Sequence, residues 1–270
     1  MSALRRVDSP KNPVLKQARA LQTKRERRDQ RRFVIEGEDL LAAALSAGVV
    51  PDVVLFDEAR VARDDELFAT TSNVAARYLA PTALIAGVST LAAPPRVLAI
   101  VPTPGPHHFR TVTFPPIFAL FLAGVGDPGN VGSLVRTAAT LGADWVAVGP
   151  GSADPFHPRA VRAAMGATFA IPLLEGVQAA DLATRDGFSV VAAVLDGGDA
   201  PWDVDFTQPI VIALGAERLG LAEAEPDLPV ERTIRVTIPQ VPGADSLNVT
   251  AAGAVLMAEA VRQRSRKLGG

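Results

Sequence analysis

Residues 117–124 read IFALFLAG and run directly into VGDPGNVGSLVR (125–136). An unbroken apolar run suits a strand covered on both faces of a parallel sheet, because a solvated face would demand a polar residue at every second position. The glycines end the strand, and Val131, Leu134, Val135 and Ala138 then recur at helical spacing, which predicts a helix from about Gly129 to Leu141. The same alternation continues downstream. Strands are expected at DWVAVG (144–149), FAIPLL (169–174), FSVVAAVL (188–195), PIVIALG (209–215) and TIRVTIP (233–239), with helices near 158–166 and 178–186 and a last one from Ser246 to about Arg266. Six buried strands interleaved with helices predict an open, mostly parallel α/β domain over 117–270. Its ligands should bind beyond the carboxyl ends of the strands.

Upstream, PTPGPHHFRTVTFPP (102–116) holds five prolines and no periodicity, the composition of a semi-rigid linker. His107 and His108 read there as exposed linker residues. Before it, FVIEG (33–37), a helix from Glu38 to about Ala47, DVVLF (52–56), a helix near 58–70, a strand around Tyr78 and RVLAIV (96–101) outline a small α/β domain over 33–101.

Residues 1–32 carry eleven of the 27 Lys/Arg but only three of the 29 Asp/Glu. The net charge of −2 therefore hides a basic arm on an acidic body, an asymmetry that favours contact with a polyanion. Within the arm, Val14, Leu15, Ala18 and Leu21 at helical spacing predict a basic amphipathic helix over about 10–32. A 48% hydrophobic content supports a sizeable core. The absence of cysteine excludes disulfides, thiolate nucleophiles and Cys-type zinc sites, and three histidines make no metal site. No stretch reaches the length of a bilayer span and the N-terminus lacks a signal peptide's apolar region, so a cytoplasmic protein without membrane attachment is expected.

Three loops after strands carry the chemistry. In the first, Gly124, Gly126 and Gly129 match G-x-G-x-x-G, so a nicotinamide-dependent oxidoreductase stays open. The acidic residue that should follow the second strand to hold a ribose is missing, however. Asn130 and Arg136 lie six residues apart on the predicted helix, a spacing that would let them reach the same side, and Arg136 reads either as a surface arginine or as a site residue. The second loop, Gly215-Ala216-Glu217-Arg218-Leu219-Gly220, puts a carboxylate between glycines at a strand end. It is either a tight turn or a ligand loop. In the third, Asp245 or Ser246 fits as a cap for the last helix, whereas Asn248 within its first turn has no such explanation.

Together the loops resemble the SPOUT-class RNA 2′-O-ribose methyltransferases of the TrmH/SpoU group. The resemblance rests on Asn130-x-Gly132-x-x-x-Arg136-Thr137-Ala138, on Leu214-Gly215-x-Glu217-x-x-Gly220-Leu221, and on Ile238-Pro239 with Ser246-Leu247-Asn248-Val249. It covers 117–266, and Phe33-Val34-Ile35-Glu36-Gly37 is similar to the start of the small substrate-binding domain that often precedes it. The resemblance implies a deep trefoil knot in the C-terminal domain and S-adenosylmethionine as cofactor, held at Leu214, Gly215, Ile238, Pro239 and Leu247. It implies catalytic or substrate-positioning roles for Asn130, Arg136, Glu217, Ser246 and Asn248. It also implies a homodimer through the last helix, whose stripe Val249, Gly253, Leu256, Met257 and Ala260 would serve that interface or the core. Arg218 and Gln240 depart from the group's usual small residue and Met. The expected substrate is structured RNA, 23S rRNA before transfer RNA, gripped by the arm and small domain. A catalytically silent RNA-binding factor is the remaining rival.

Overall fold

The computed structural model describes residues 4–61, 66–105, 109, 112, 118–216, 221, 227–243 and 245–268. The chain divides into two compact units, one of residues 1–105 with 156–169 and the other of 106–155 with 170–270.

The first unit runs β1 (Arg5–Arg6), α1 (Pro13–Ala20), α2 (Lys24–Gln30), β2 (Arg32–Glu36), α3 (Glu38–Ser46), β3 (Val53–Asp57), α4 (Glu66–Thr70), β4 (Ala76–Ala80), α5 (Thr82–Ala86) and β5 (Val97–Pro102). Its sheet has the order β1-β4-β3-β5-β2, parallel across β1-β4-β3 and antiparallel at both edges of β5. The basic segment is no arm standing apart. Val7, Leu15, Ala18 and Leu21 are fully buried in the core beneath this sheet, with Leu55, Leu98 and Ile100. Nor is it a single helix. Asn12 caps α1 through Val14 N, with Pro13 in the first turn, and Thr23 accepts from Glu26 N to start α2. The Thr23-x-x-Glu26 pattern is a helix-start signal inside what the periodicity read as one helix. Buried Glu36 accepts from Ser89 Oγ, Thr90 N and Thr90 Oγ1 at 2.9–3.1 Å, tying β2 to the loop before β5.

The second unit contributes β6 (Phe118–Leu122), α6 (Pro128–Thr140) and β7 (Val146–Val148), after which α7 (Pro158–Ala164) joins the first unit. Phe156 and Phe169, flanking α7, pack on Phe33 at ring distances of 5.1 and 5.9 Å. At Gly166 a Cβ would meet that of Ala43 at 2.6 Å, so only glycine allows this approach to α3. The apolar pattern predicts this helix within an unbroken domain from 117, whereas α7 packs on β2 of the first unit. Phe169 itself lies in a short 3-10 turn rather than at the start of the strand expected at 169–174.

The chain then forms β8 (Leu173–Glu175), α8 (Ala179–Ala183), β9 (Ser189–Ala193), β10 (Ile210–Leu214), β11 (Thr233–Val236) and α9 (Val249–Leu268). All pairings in the order β11-β9-β10-β6-β7-β8 are parallel, as the apolar runs predicted. Gly253 seats α9 against α6 and the end of β10, where a Cβ would stand 2.5 Å from Leu134 Cδ2 and 2.9 Å from Leu214 Cδ1. At its far end α9 is fastened by Arg264, which donates to the carbonyls of Phe206 and Gln208 and lies over the Phe118 ring. Burial lowers the pKa of this guanidinium, opposed by Asp144 and Asp205. No helix among the described residues is long and apolar enough to cross a membrane, and they hold no group of side chains suited to a metal ion.

Candidate active site

A small cleft of about 60 Å³ opens at the carboxyl ends of β9, β10 and β11, which are neighbours in the sheet. Ligands bind in this position in open parallel sheets. Leu214 and Gly215 line it from the β10 exit, Ile238 from the β11 exit and Leu247 from the approach to α9. Pro239 sits between the lining residues Ile238 and Gln240 without lining the cleft itself.

The fourth wall was not anticipated. Ala193, Val194 and Leu195 line the cleft from the β9 exit, where apolar residues continuing a strand give no sign of a second use. That exit is welded to β11 by Val194 N donating to Val236 O, Asp199 N to Arg235 O and Thr237 N to Asp199 O, at 2.9–3.0 Å. Gly198 permits the contact, since its Cβ would come within 2.8 Å of Arg235 backbone. Gln240 is the sole polar side chain among the described lining residues. Apolar walls with backbone amides and carbonyls at the strand ends suit an aromatic base and its polar edge. The chemistry of the cleft thus fits a nucleoside cofactor.

Of the proposed catalytic residues, the described ones, Asn130, Arg136, Ser246 and Asn248, do not line this cleft. Asn130 lies in the first turn of α6, its N–H donating to the capping Asp127 at 3.0 Å. Arg136 follows on the same helix and is exposed. By helix geometry the two are about 9 Å apart along the axis and about 120° apart around it, so they do not share one face. Ser246 and Asn248 are exposed just before α9, the helix packed on α6. Glu217, with Arg218 and Gly220, lies outside the described residues, as do His107 and His108.

Asn248 has a structural role the sequence reading denied it. The helix starts at Val249 rather than Ser246, and Asn248 Oδ1 accepts from Thr250 N at 2.8 Å while its carbonyl accepts from Ala252 N. It is the N-cap. The stripe Val249, Gly253, Leu256, Met257 and Ala260 is likewise buried within the chain itself, which leaves Ala251, Val255 and Ala258 on the outer face of α9.

The Gly124 loop is built for packing against protein. Gly124 N donates to Pro150 O at 3.0 Å and Val125 N to Ser152 Oγ at 3.1 Å. At Gly151 a Cβ would come within 3.1 Å of Gly124 Cα. The amide and close approach that a pyrophosphate requires are taken by the 149–153 loop, against the oxidoreductase reading.

Comparison with known proteins agrees with this geometry. A model of the SpoU rRNA Methylase family matches residues 117–258, and one of the MRM3-like substrate binding domain matches residues 12–99. The 23S rRNA (guanosine(2553)-2′-O)-methyltransferase RlmP of Bacillus subtilis is 30% identical, over 94% of this chain and 98% of that protein. The 23S rRNA (uridine(2479)-2′-O)-methyltransferase of Streptomyces viridochromogenes is 31% identical, over 97% and 93%. The AdoMet-bound rRNA methyltransferase from Sinorhizobium meliloti superposes with a TM-score of 0.83 at 29% identity, covering 96% of this chain and 98% of that one. With loops, cleft and sheet order in accord, the chain belongs to the SpoU rRNA methylase family.

Proposed function

We propose that this protein methylates a ribose 2′-hydroxyl of 23S rRNA. The observation that carries this reading is the cleft at the ends of β9, β10 and β11, bounded by the loops that bear the family's motifs. The 23S substrates of two relatives that match nearly end to end favour this RNA over transfer RNA. Leu214, Gly215, Ile238 and Leu247 would hold S-adenosylmethionine, with Pro239 stiffening the third loop. Bound there, the cofactor supplies an activated methyl group.

The chain's own part is to position and stabilise. A ribose hydroxyl must be held in line with little covalent help from protein. Arg136 binds the neighbouring phosphate through its planar guanidinium and stabilises the alkoxide as it develops, with Asn130 and Glu217 orienting it. Ser246 and Asn248 present polar groups at the mouth of the third loop. The protein works in the cytoplasm as a homodimer on the outer face of α9, and Val255→Arg would yield monomers by light scattering.

Labelled methyl transfer onto unmodified ribosomal and transfer RNA, mapped by protection from alkaline cleavage, tests this reading. Label in 23S rRNA at a 2′-O position is expected. Label in transfer RNA alone would redirect the substrate, and none in either pool, with cofactor bound, would leave a silent RNA-binding factor.

A further inference from the structure

The eleven cations of residues 1–32 are not equivalent. Arg27 is 4% exposed, and its Nη1 donates to the carbonyls of Leu21 and Gln22 at 2.9 Å. Arg19 donates to the Gly87 and Pro10 carbonyls, Arg32 pairs with Asp52 at 2.6 Å, and Arg6 lies between Asp8 and Glu58. These four are committed to holding the first unit together.

Lys24, Arg28 and Arg31 are exposed, and among the described residues no carboxylate pairs with them. Lys24 and Arg28 are four residues apart and so share a face of α2, about 6 Å apart along it. Arg31 follows Arg28 at the carboxyl end of the helix, which it closes in the left-handed conformation at φ 53°. Like charges at this spacing repel, so the row favours a polyanion laid along it. Its helix is held firmly from behind. Arg27 anchors the inner face, and Gln17 Nε2 donates to Gln30 Oε1 at 3.0 Å as Gln30 Nε2 donates to Glu26 Oε2 at 2.9 Å. Thr23, Arg25 and Asp29 are the other exposed residues of this stretch, so nothing apolar is offered to a bilayer.

We infer that Lys24, Arg28 and Arg31 form a preorganised phosphate track along which the first unit grips the RNA backbone. The inference rests on the RNA-methyltransferase reading above. The track supplies affinity without reading sequence.

The test is filter binding of a full-length 23S rRNA transcript over a KCl series, for the wild-type chain and for K24Q/R28Q/R31Q, with S-adenosylmethionine affinity measured by calorimetry on both. The triple variant should lose at least tenfold in RNA affinity at low salt. Each lost contact should flatten the slope of log affinity against log salt by about 0.7–0.9, so about two to three units in all, with cofactor affinity within twofold. A K24R/R28K variant should restore the slope, because phosphate contacts accept either cation. An unchanged slope in the triple variant overturns the track while leaving the enzyme reading intact. A wild-type chain that binds cofactor but no RNA overturns that reading, and the track falls with it.

Discussion

Gly149 and Gly126 look alike in the sequence, yet their surroundings differ. At Gly149 a Cβ would meet Phe121 Cε2 at 2.9 Å and the Leu122 carbonyl at 3.0 Å, whereas at Gly126 nothing lies within 4 Å. Gly149→Ala should therefore cost about 1–3 kcal/mol through overpacking against a core ring and fixed backbone. Gly126→Ala should leave the chemical-denaturation midpoint unchanged and cofactor affinity within twofold. A Gly126→Ala protein that loses cofactor would mean this loop contacts ligand after all. Arg136 poses a chemical question at the same scale. If its planar fork holds phosphate and developing charge together, Arg136→Lys should slow methyl transfer about 10²–10³-fold and leave cofactor affinity unaltered. Near-normal turnover would show that a point charge suffices.

At the scale of elements, α9 joins stability to the cleft. Its first turn delivers Val249 and Ala252 to the cleft wall, Gly253 packs it on α6 and β10, and Arg264 pins its other end. Asn248 stands at the start of this chain of contacts as the cap. Asn248→Ala should lose about 0.5–2 kcal/mol, a fall in Tm of a few degrees. Asn248→Ser keeps an acceptor for the helix amides and should recover that stability. If the carboxamide also faces substrate, turnover will not recover with it. Full recovery of both would reduce Asn248 to a cap.

For the whole molecule, the allegiance of residues 156–169 decides whether the two units can be separated at the proline-rich segment. Phe156, Val161 and Ala164 are buried within the first unit although the chain reaches them from the second. A fragment of residues 106–270 would carry these side chains without Phe33 and α3 to cover them. It should be recovered largely insoluble or bind a hydrophobic dye strongly. A soluble fragment that unfolds cooperatively and keeps full cofactor affinity would show that the excursion is dispensable. Family membership adds a trefoil knot in the second unit, so α9 must be threaded as well as packed.

The sequence by itself determined the fold class and the order of the loops. A strand buried on both faces must be apolar throughout, and a loop leaving such a strand must expose what polarity it has, so IFALFLAG, PIVIALG and the motifs behind them are legible without coordinates. What only the tertiary structure decided were matters of partner. Arg27 and Arg28 are adjacent and chemically identical, and burial on the carbonyls of Leu21 and Gln22 makes one of them structural while the other faces solvent. Val194 and Leu195 look like more strand until the cleft opens beside them. Asn248 looked unexplained because its role depends on where α9 begins, and α7 looked continuous with its neighbours because a helix's apolar face does not name the surface that will cover it. Local pattern specifies which side chains must be buried or exposed, and long-range packing alone specifies against what.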